Sequence, residues 1–94
     1  MSEARIAMLD QALRAAFAPQ CLEIRDDSAL HVGHASAGEA GHFAVYIVSE
    51  AFAGLSAVKR HQAVYAAVAD LMGTEVHALS IEAKTPQQVS SASI

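Results

Sequence analysis

The sequence predicts an α+β domain with the element order α-β-β-α-β, in which helices pack on one face of a mixed three-stranded sheet. Apolar residues recur at helical spacing in two segments, and three shorter segments have the alternation or β-branched content of strands. The last strand follows a helix, so it is expected to pair in parallel through a right-handed crossover, whereas the first two strands can pair antiparallel. A chain of 94 residues is the size of one domain.

Both helices are bounded by recognisable signals. The first is ended by Pro19, and the second begins after Ser56, which can cap it, and runs to about Met72. Gly73 suits a C-terminal cap. The predicted buried stripes are Ile6, Leu9, Leu13 and Phe17 in the first helix, and Val58, Tyr65, Val68 and Leu71 in the second.

Three segments are predicted to be strands. Residues 21–25 (CLEIR) alternate apolar and polar side chains, and residues 42–49 (HFAVYIVS) form a continuous apolar run. In residues 75–83 (EVHALSIEA), strict alternation places His77, Leu79 and Ile81 on one face.

The remaining segments define the domain organisation. Residues 27–41 form a long Gly/Ala/Ser/His connection, and loops of that length in compact domains are often functional. We expect a single domain over residues 1–86, followed by a polar, disordered tail at 87–94.

Composition excludes several functional classes. Six Lys and Arg residues against ten Asp and Glu give a net charge of −4, which argues against non-specific nucleic-acid binding. Cys21 is the only cysteine, so neither an internal disulfide nor a CxxC motif exists, and it is expected to be a small strand residue. The sequence has no signal-peptide pattern and no apolar run long enough to span a bilayer. We therefore expect a cytoplasmic protein without membrane association.

Three histidines lie close together in the sequence around the long connection, at His31, His34 and His42. They could chelate zinc, but three-histidine zinc sites are usually rigidly framed, which a Gly/Ala-rich segment does not provide. His42 begins a strand and is expected to be structural.

Five segments, in order and at compatible spacing, resemble the BolA family over about residues 20–86. No single segment is diagnostic, but their combination is specific. The segments are LEIRDDS (22–28), GHF (41–43), IVSEAFAGLS (47–56), KRHQAVY (59–65) and VHALSIEAKTP (76–86).

This resemblance implies a fold similar to class II KH domains and a non-enzymatic function. BolA-like proteins partner monothiol glutaredoxins with a CGFS motif, and the pair can hold a bridging [2Fe-2S] cluster used in iron-sulfur trafficking or iron regulation. By resemblance, His77 of the VHAL segment is one cluster ligand. The second is the better-matched His34 or the weaker His31, with glutaredoxin and glutathione thiolates completing the set. The isolated protein is then expected to carry no cofactor and to be a monomer or weak dimer.

An alternative function also follows from the resemblance. Some bacterial members are DNA-binding transcriptional regulators that affect morphology or the stress response. Lys59 and Arg60 would contact phosphates, and with His61 they could equally face a protein partner. The RHR of many members reads Arg60-His61-Gln62 here, which has one positive charge fewer.

Overall fold

The computed structural model describes residues 2–27 and 41–92. The predicted elements are present in the predicted order, with one additional helix at the end. None of the described helices is long and apolar enough to cross a membrane. The elements are α1 (Ser2–Phe17), β1 (Cys21–Asp26), β2 (Gly41–Val48), α2 (Ala57–Ala67), β3 (Val76–Lys84) and α3 (Pro86–Ala92).

The predicted mixed sheet is confirmed, with β2 between an antiparallel β1 and a parallel β3. Alternate side chains of β2 point towards the helices, so that Phe43, Val45 and Ile47 are buried while the residues between them are partly exposed. Burial of these apolar side chains is the main stabilising contribution to a domain of this size. The buried core residues are Leu9, Leu13, Phe43, Val45, Ile47, Phe52, Val64, Val68, Val76 and Leu79.

The buried face of α2 differs from the prediction. Val68, just after the helix, is buried as predicted, but Val58 is 65% exposed and Tyr65 is 36% exposed, and Val64 is buried instead. Tyrosine carries a hydroxyl that needs a hydrogen-bond partner, and Tyr65 finds one at the rim, where its hydroxyl donates to Leu79 O (2.8 Å). The helix also ends earlier than predicted, at Ala67, and a single 3₁₀ turn over Ala69–Leu71 leads to Gly73, which adopts the left-handed φ of 84°.

The expectation of a disordered tail at 87–94 is wrong as far as Ala92, because α3 occupies that part. A reciprocal cap begins the helix: Gln88 N donates to Thr85 Oγ1 (3.3 Å), and Thr85 N donates to Gln88 Oε1 (2.8 Å). This is a capping box, and Pro86 occupies the first helical position, where a missing N–H has no cost. The signal was present in the sequence as Thr-Pro-Gln-Gln.

Arg60 connects three parts of the chain through its guanidinium group. Nε donates to Leu55 O (3.0 Å), and Nη1 donates to Ala83 O (3.0 Å) and Gln88 Oε1 (2.8 Å). These bonds join the segment before α2, the end of β3 and the first turn of α3. Arg60 is therefore a structural residue, whatever else it contacts.

We predict that Arg60→Ala lowers the free energy of unfolding by about 1.5–3 kcal/mol, the usual effect of losing hydrogen bonds to a charged group. Lys59→Ala is the matched control, because it removes one positive charge from an exposed neighbouring position and should change stability by less than about 0.5 kcal/mol. Urea denaturation followed by circular dichroism measures both. Equal effects of the two substitutions would contradict the structural role of Arg60.

Candidate metal and partner site

The parallel pairing of β2 with β3 shifts by one residue at its start. Gly41 pairs with Val76, but the next residue, His42, pairs with Ala78, so that His77 is an extra residue in β3. A bulge of this kind redirects a side chain. Val76 is fully buried, while His77 is exposed.

The predicted placement of His77 on one face with Leu79 and Ile81 is therefore wrong. The physical reason is the extra residue, since strict alternation holds only where the strand is regular. Leu79 and Ile81 pair with the core residues Phe43 and Val45, as the alternation predicts. Only the histidine leaves that face.

His77 contacts a second histidine. The ring centres of His42 and His77 are 5.1 Å apart, and the rings are tilted by 47°. His42 is partly exposed and alternates with the buried residues of β2, so its side chain lies on the sheet face opposite the helices. From the sequence, His42 was expected to be structural only. The predicted parallel pairing of β2 with β3 could have indicated that His42 and His77 are neighbours. The one-residue shift in that pairing could not be predicted from the spacing of residues in the sequence.

The histidine-rich segment is attached beside this pair. His31 and His34 lie outside the described residues, in the segment 28–40 that connects β1 to β2. The chain leaves β1 at Asp27, whose N–H donates to His42 O (2.7 Å). Both ends of the segment are therefore held next to the His42–His77 pair.

A charge pair fixes the end of β1 at the same place. Arg25 Nε and Nη2 donate to the two carboxylate oxygens of Asp27, at 2.7 Å and 3.1 Å. The hydrogen bond to Asp27, reinforced by its negative charge, raises the pKa of the Arg25 guanidinium. Their two-point contact orients the residue from which the segment 28–40 departs.

The donor set of this site is two imidazoles. Within residues 2–27 and 41–92, no three His, Cys, Asp or Glu side chains are grouped so that they could hold a metal ion. Cys21, a partly buried free thiol, is the first residue of β1, as expected of a strand residue.

The predicted contact residues of α2 differ in their exposure and in their hydrogen bonds. Lys59 is exposed in the first turn of α2, and His61 is exposed one turn before Tyr65, whose ring it contacts at a centroid distance of 6.4 Å. Arg60 is partly buried, and its guanidinium is used in the three internal hydrogen bonds. Lys59 and His61 are thus the more accessible of the three.

Comparison with known proteins gives consistent matches. The family model "BolA-like protein" matches residues 13–88. BolA-like protein 1 of Homo sapiens is 47% identical over 77 residues, which cover 81% of this chain and 54% of that protein. The DNA-binding transcriptional regulator BolA of Escherichia coli is 39% identical over 77 residues, covering 82% of this chain and 71% of that protein. The chain thus spans about half the length of the human relative.

A solved structure confirms the fold. The BolA domain of SufE1 from Arabidopsis thaliana superposes with a TM-score of 0.80 at 43% identity, covering 89% of this chain and 94% of that chain. The expected resemblance is therefore confirmed over most of the chain, including β3 with its exposed His77. The chain belongs to the BolA family.

Proposed function

We propose that this chain is a non-enzymatic adaptor that binds a monothiol glutaredoxin and supplies histidines to a shared [2Fe-2S] cluster, which the pair transfers or uses in iron regulation. The observation that supports this most is the exposed position of His77 beside His42. A histidine displaced from the core by a bulge has lost burial that a regular strand would have provided. A role as a cluster ligand would account for the exposed position of His77.

The chemistry of the donors fits a cluster held between two proteins. A [2Fe-2S] cluster needs four ligands, and imidazole can replace thiolate on one of its irons. Two histidines of this chain would bind one iron, while the glutaredoxin thiolate and a glutathione thiol bind the other. Imidazole is neutral and can dissociate when protonated near neutral pH, which suits a cluster that is passed on.

Three histidines are candidates for the ligand that accompanies His77. The family resemblance favours His34, with His31 as the weaker match. Geometry adds His42: two imidazoles on one tetrahedral ion, with metal–nitrogen distances of about 2.0–2.1 Å, have ring centres roughly 5 Å apart. The His42 and His77 ring centres are 5.1 Å apart.

The alternative is a DNA-binding regulator, and the name of the Escherichia coli relative supports it. Two features of this chain favour the adaptor instead. Its net charge is −4, and the guanidinium of Arg60 already donates to three internal acceptors. A cytoplasmic location and a monomeric or weakly dimeric isolated state are part of the proposal.

The test is reconstitution of the chain with a CGFS glutaredoxin, glutathione, ferrous iron and sulfide. We expect a 1:1 complex on size exclusion, a visible circular dichroism spectrum distinct from that of glutaredoxin alone, and nitrogen couplings to the reduced cluster in pulsed EPR. His77→Ala should remove part of these couplings without unfolding the domain, because its side chain is exposed. The single substitutions of His31, His34 and His42 identify the second ligand. His61→Ala is the control for ligation: whatever its effect on the affinity for glutaredoxin, the complex that forms should keep all of its nitrogen couplings.

Two results would contradict the proposal. One is a His77→Ala complex with couplings and spectrum identical to those of the unsubstituted chain. The other is the absence of any complex, with a spectrum equal to that of glutaredoxin alone. Salt-sensitive DNA binding that weakens on Lys59→Ala would then support the regulator instead.

A further inference from the structure

The outer edge of β3 carries backbone groups that β2 does not use. Within the described residues, β3 is the last strand of the sheet. Ser49 N donates to Lys84 O (2.9 Å), so the carbonyl of Lys84 points towards β2. Because these groups alternate along a strand, the N–H and C=O groups of Leu79, Ile81 and Ala83 point to the opposite, outer edge.

Two side chains from α2 occupy alternate carbonyls on this edge. The Tyr65 hydroxyl donates to Leu79 O (2.8 Å), and Arg60 Nη1 donates to Ala83 O (3.0 Å). Ile81 lies midway between them and is partly exposed. A cleft of about 410 Å³ reaches Ile81 between α2 and β3, with Arg60 and His61 among its lining residues. The edge is thus covered at two points and accessible between them.

An uncovered strand edge is a template for pairing with another strand, and proteins commonly protect such edges with side chains or loops. We propose that the outer edge of β3 is a strand-pairing surface for a second copy of this chain, and that Tyr65 and Arg60 keep it closed. The proposal assigns these two residues a role in controlling self-association. It is independent of the glutaredoxin proposal, because it requires neither a partner nor a cluster.

A second copy fits the edge in an antiparallel arrangement with Ile81 on the two-fold axis. Ile81 then pairs with its own copy, and Leu79 pairs with Ala83, each pair exchanging two backbone hydrogen bonds. These flanking pairs need the two carbonyls that Tyr65 and Arg60 occupy.

The charges on β3 also allow this register. With Ile81 on the axis, Glu82 lies opposite Ser80 and Lys84 lies opposite Ala78. No like charges face each other directly, an arrangement that would destabilise a strand pair. The two Glu82 side chains are diagonal neighbours in this register, but each carboxylate lies 3.5 Å from Nζ of its own Lys84, so the protection rests mainly on α2.

The test is the oligomeric state of variants with an opened edge, measured by sedimentation velocity over a concentration series. Tyr65→Ala clears the Leu79 end and leaves every hydrogen bond of Arg60 intact, so it keeps the test valid if Arg60 substitutions unfold the chain. The double variant Arg60→Ala/Tyr65→Ala clears both ends. Val58→Ala and Lys59→Ala are the matched controls, since they remove an exposed apolar side chain and a positive charge from the same helix without touching β3 carbonyls.

We expect Tyr65→Ala to lower the dimer dissociation constant by about tenfold or more, and the double variant to lower it further, while the controls match the unsubstituted chain. Amide hydrogen exchange should show the Ile81 N–H newly protected in the dimer. A folded Tyr65→Ala variant as monomeric as the controls would overturn the proposal. So would association that leaves the Ile81 amide unprotected, or an unsubstituted chain that pairs through this edge equally well.

Discussion

The one-residue shift between β2 and β3 is the constraint on which the site depends. Before the shift Gly41 pairs with Val76. After it, every β2 residue from His42 to Val48 pairs with the β3 residue one position further along than a regular ladder would give. Val76, Leu79 and Ile81 can therefore all contribute to the core side, which a strict alternation from Val76 would forbid. The cost is one extra residue, His77, whose side chain leaves the core face and contacts His42.

The extra residue, His77, lies close to other histidines of the chain. Its ring lies against that of His42, and the segment with two further histidines departs from Asp27 and returns at Gly41 beside the same pair. The bidentate contact of Arg25 with Asp27 anchors the departure point. His42 and His77 thus lie at the start of β2 and β3, while at the other end of the sheet Ser49 and Arg60 donate hydrogen bonds to the backbone carbonyls of Phe17 and Ala83.

Those hydrogen bonds change the interpretation of the basic residues on α2. The guanidinium of Arg60 and the hydroxyl of Tyr65 attach the helix to the outer edge of β3, and buried Ser49 donates to Phe17 O (2.7 Å), which attaches α1 to the end of β2. A domain of this size buries a limited fraction of its surface, so side-chain contacts of this kind carry a relatively large share of its stability. A basic residue that holds three elements together is poorly placed to exchange its partners for phosphates.

Sequence periodicity predicted the regular helices and strands well. It failed where contacts between distant parts of the chain determine which side chains are buried. The spacing of Leu9 and Leu13 in α1 and the apolar run of β2 were sufficient, because burial on one face follows directly from periodicity. The predicted buried face of α2 was wrong in part. Val58 and Tyr65 lie at helical spacing, but the hydroxyl of Tyr65 finds its hydrogen-bond acceptor, Leu79 O, at the rim of the core. The capping box at Thr85 is visible in the sequence, but the polar composition of the segment favoured a prediction of disorder. The shift at His77 has no local signature, since it depends on how two strands distant in sequence align.

The most direct test of the account is the position of the His77 ring in solution, measured by aromatic NOESY spectra of the isotopically labelled protein. Because the His42 and His77 rings are in contact, we expect NOEs between their ring protons, and none from His77 to Phe43 or to the methyl groups of Leu79. NOEs from His77 to Phe43 and Leu79 without any to His42 would mean that β3 runs in regular register with its histidine in the core, and would contradict the account.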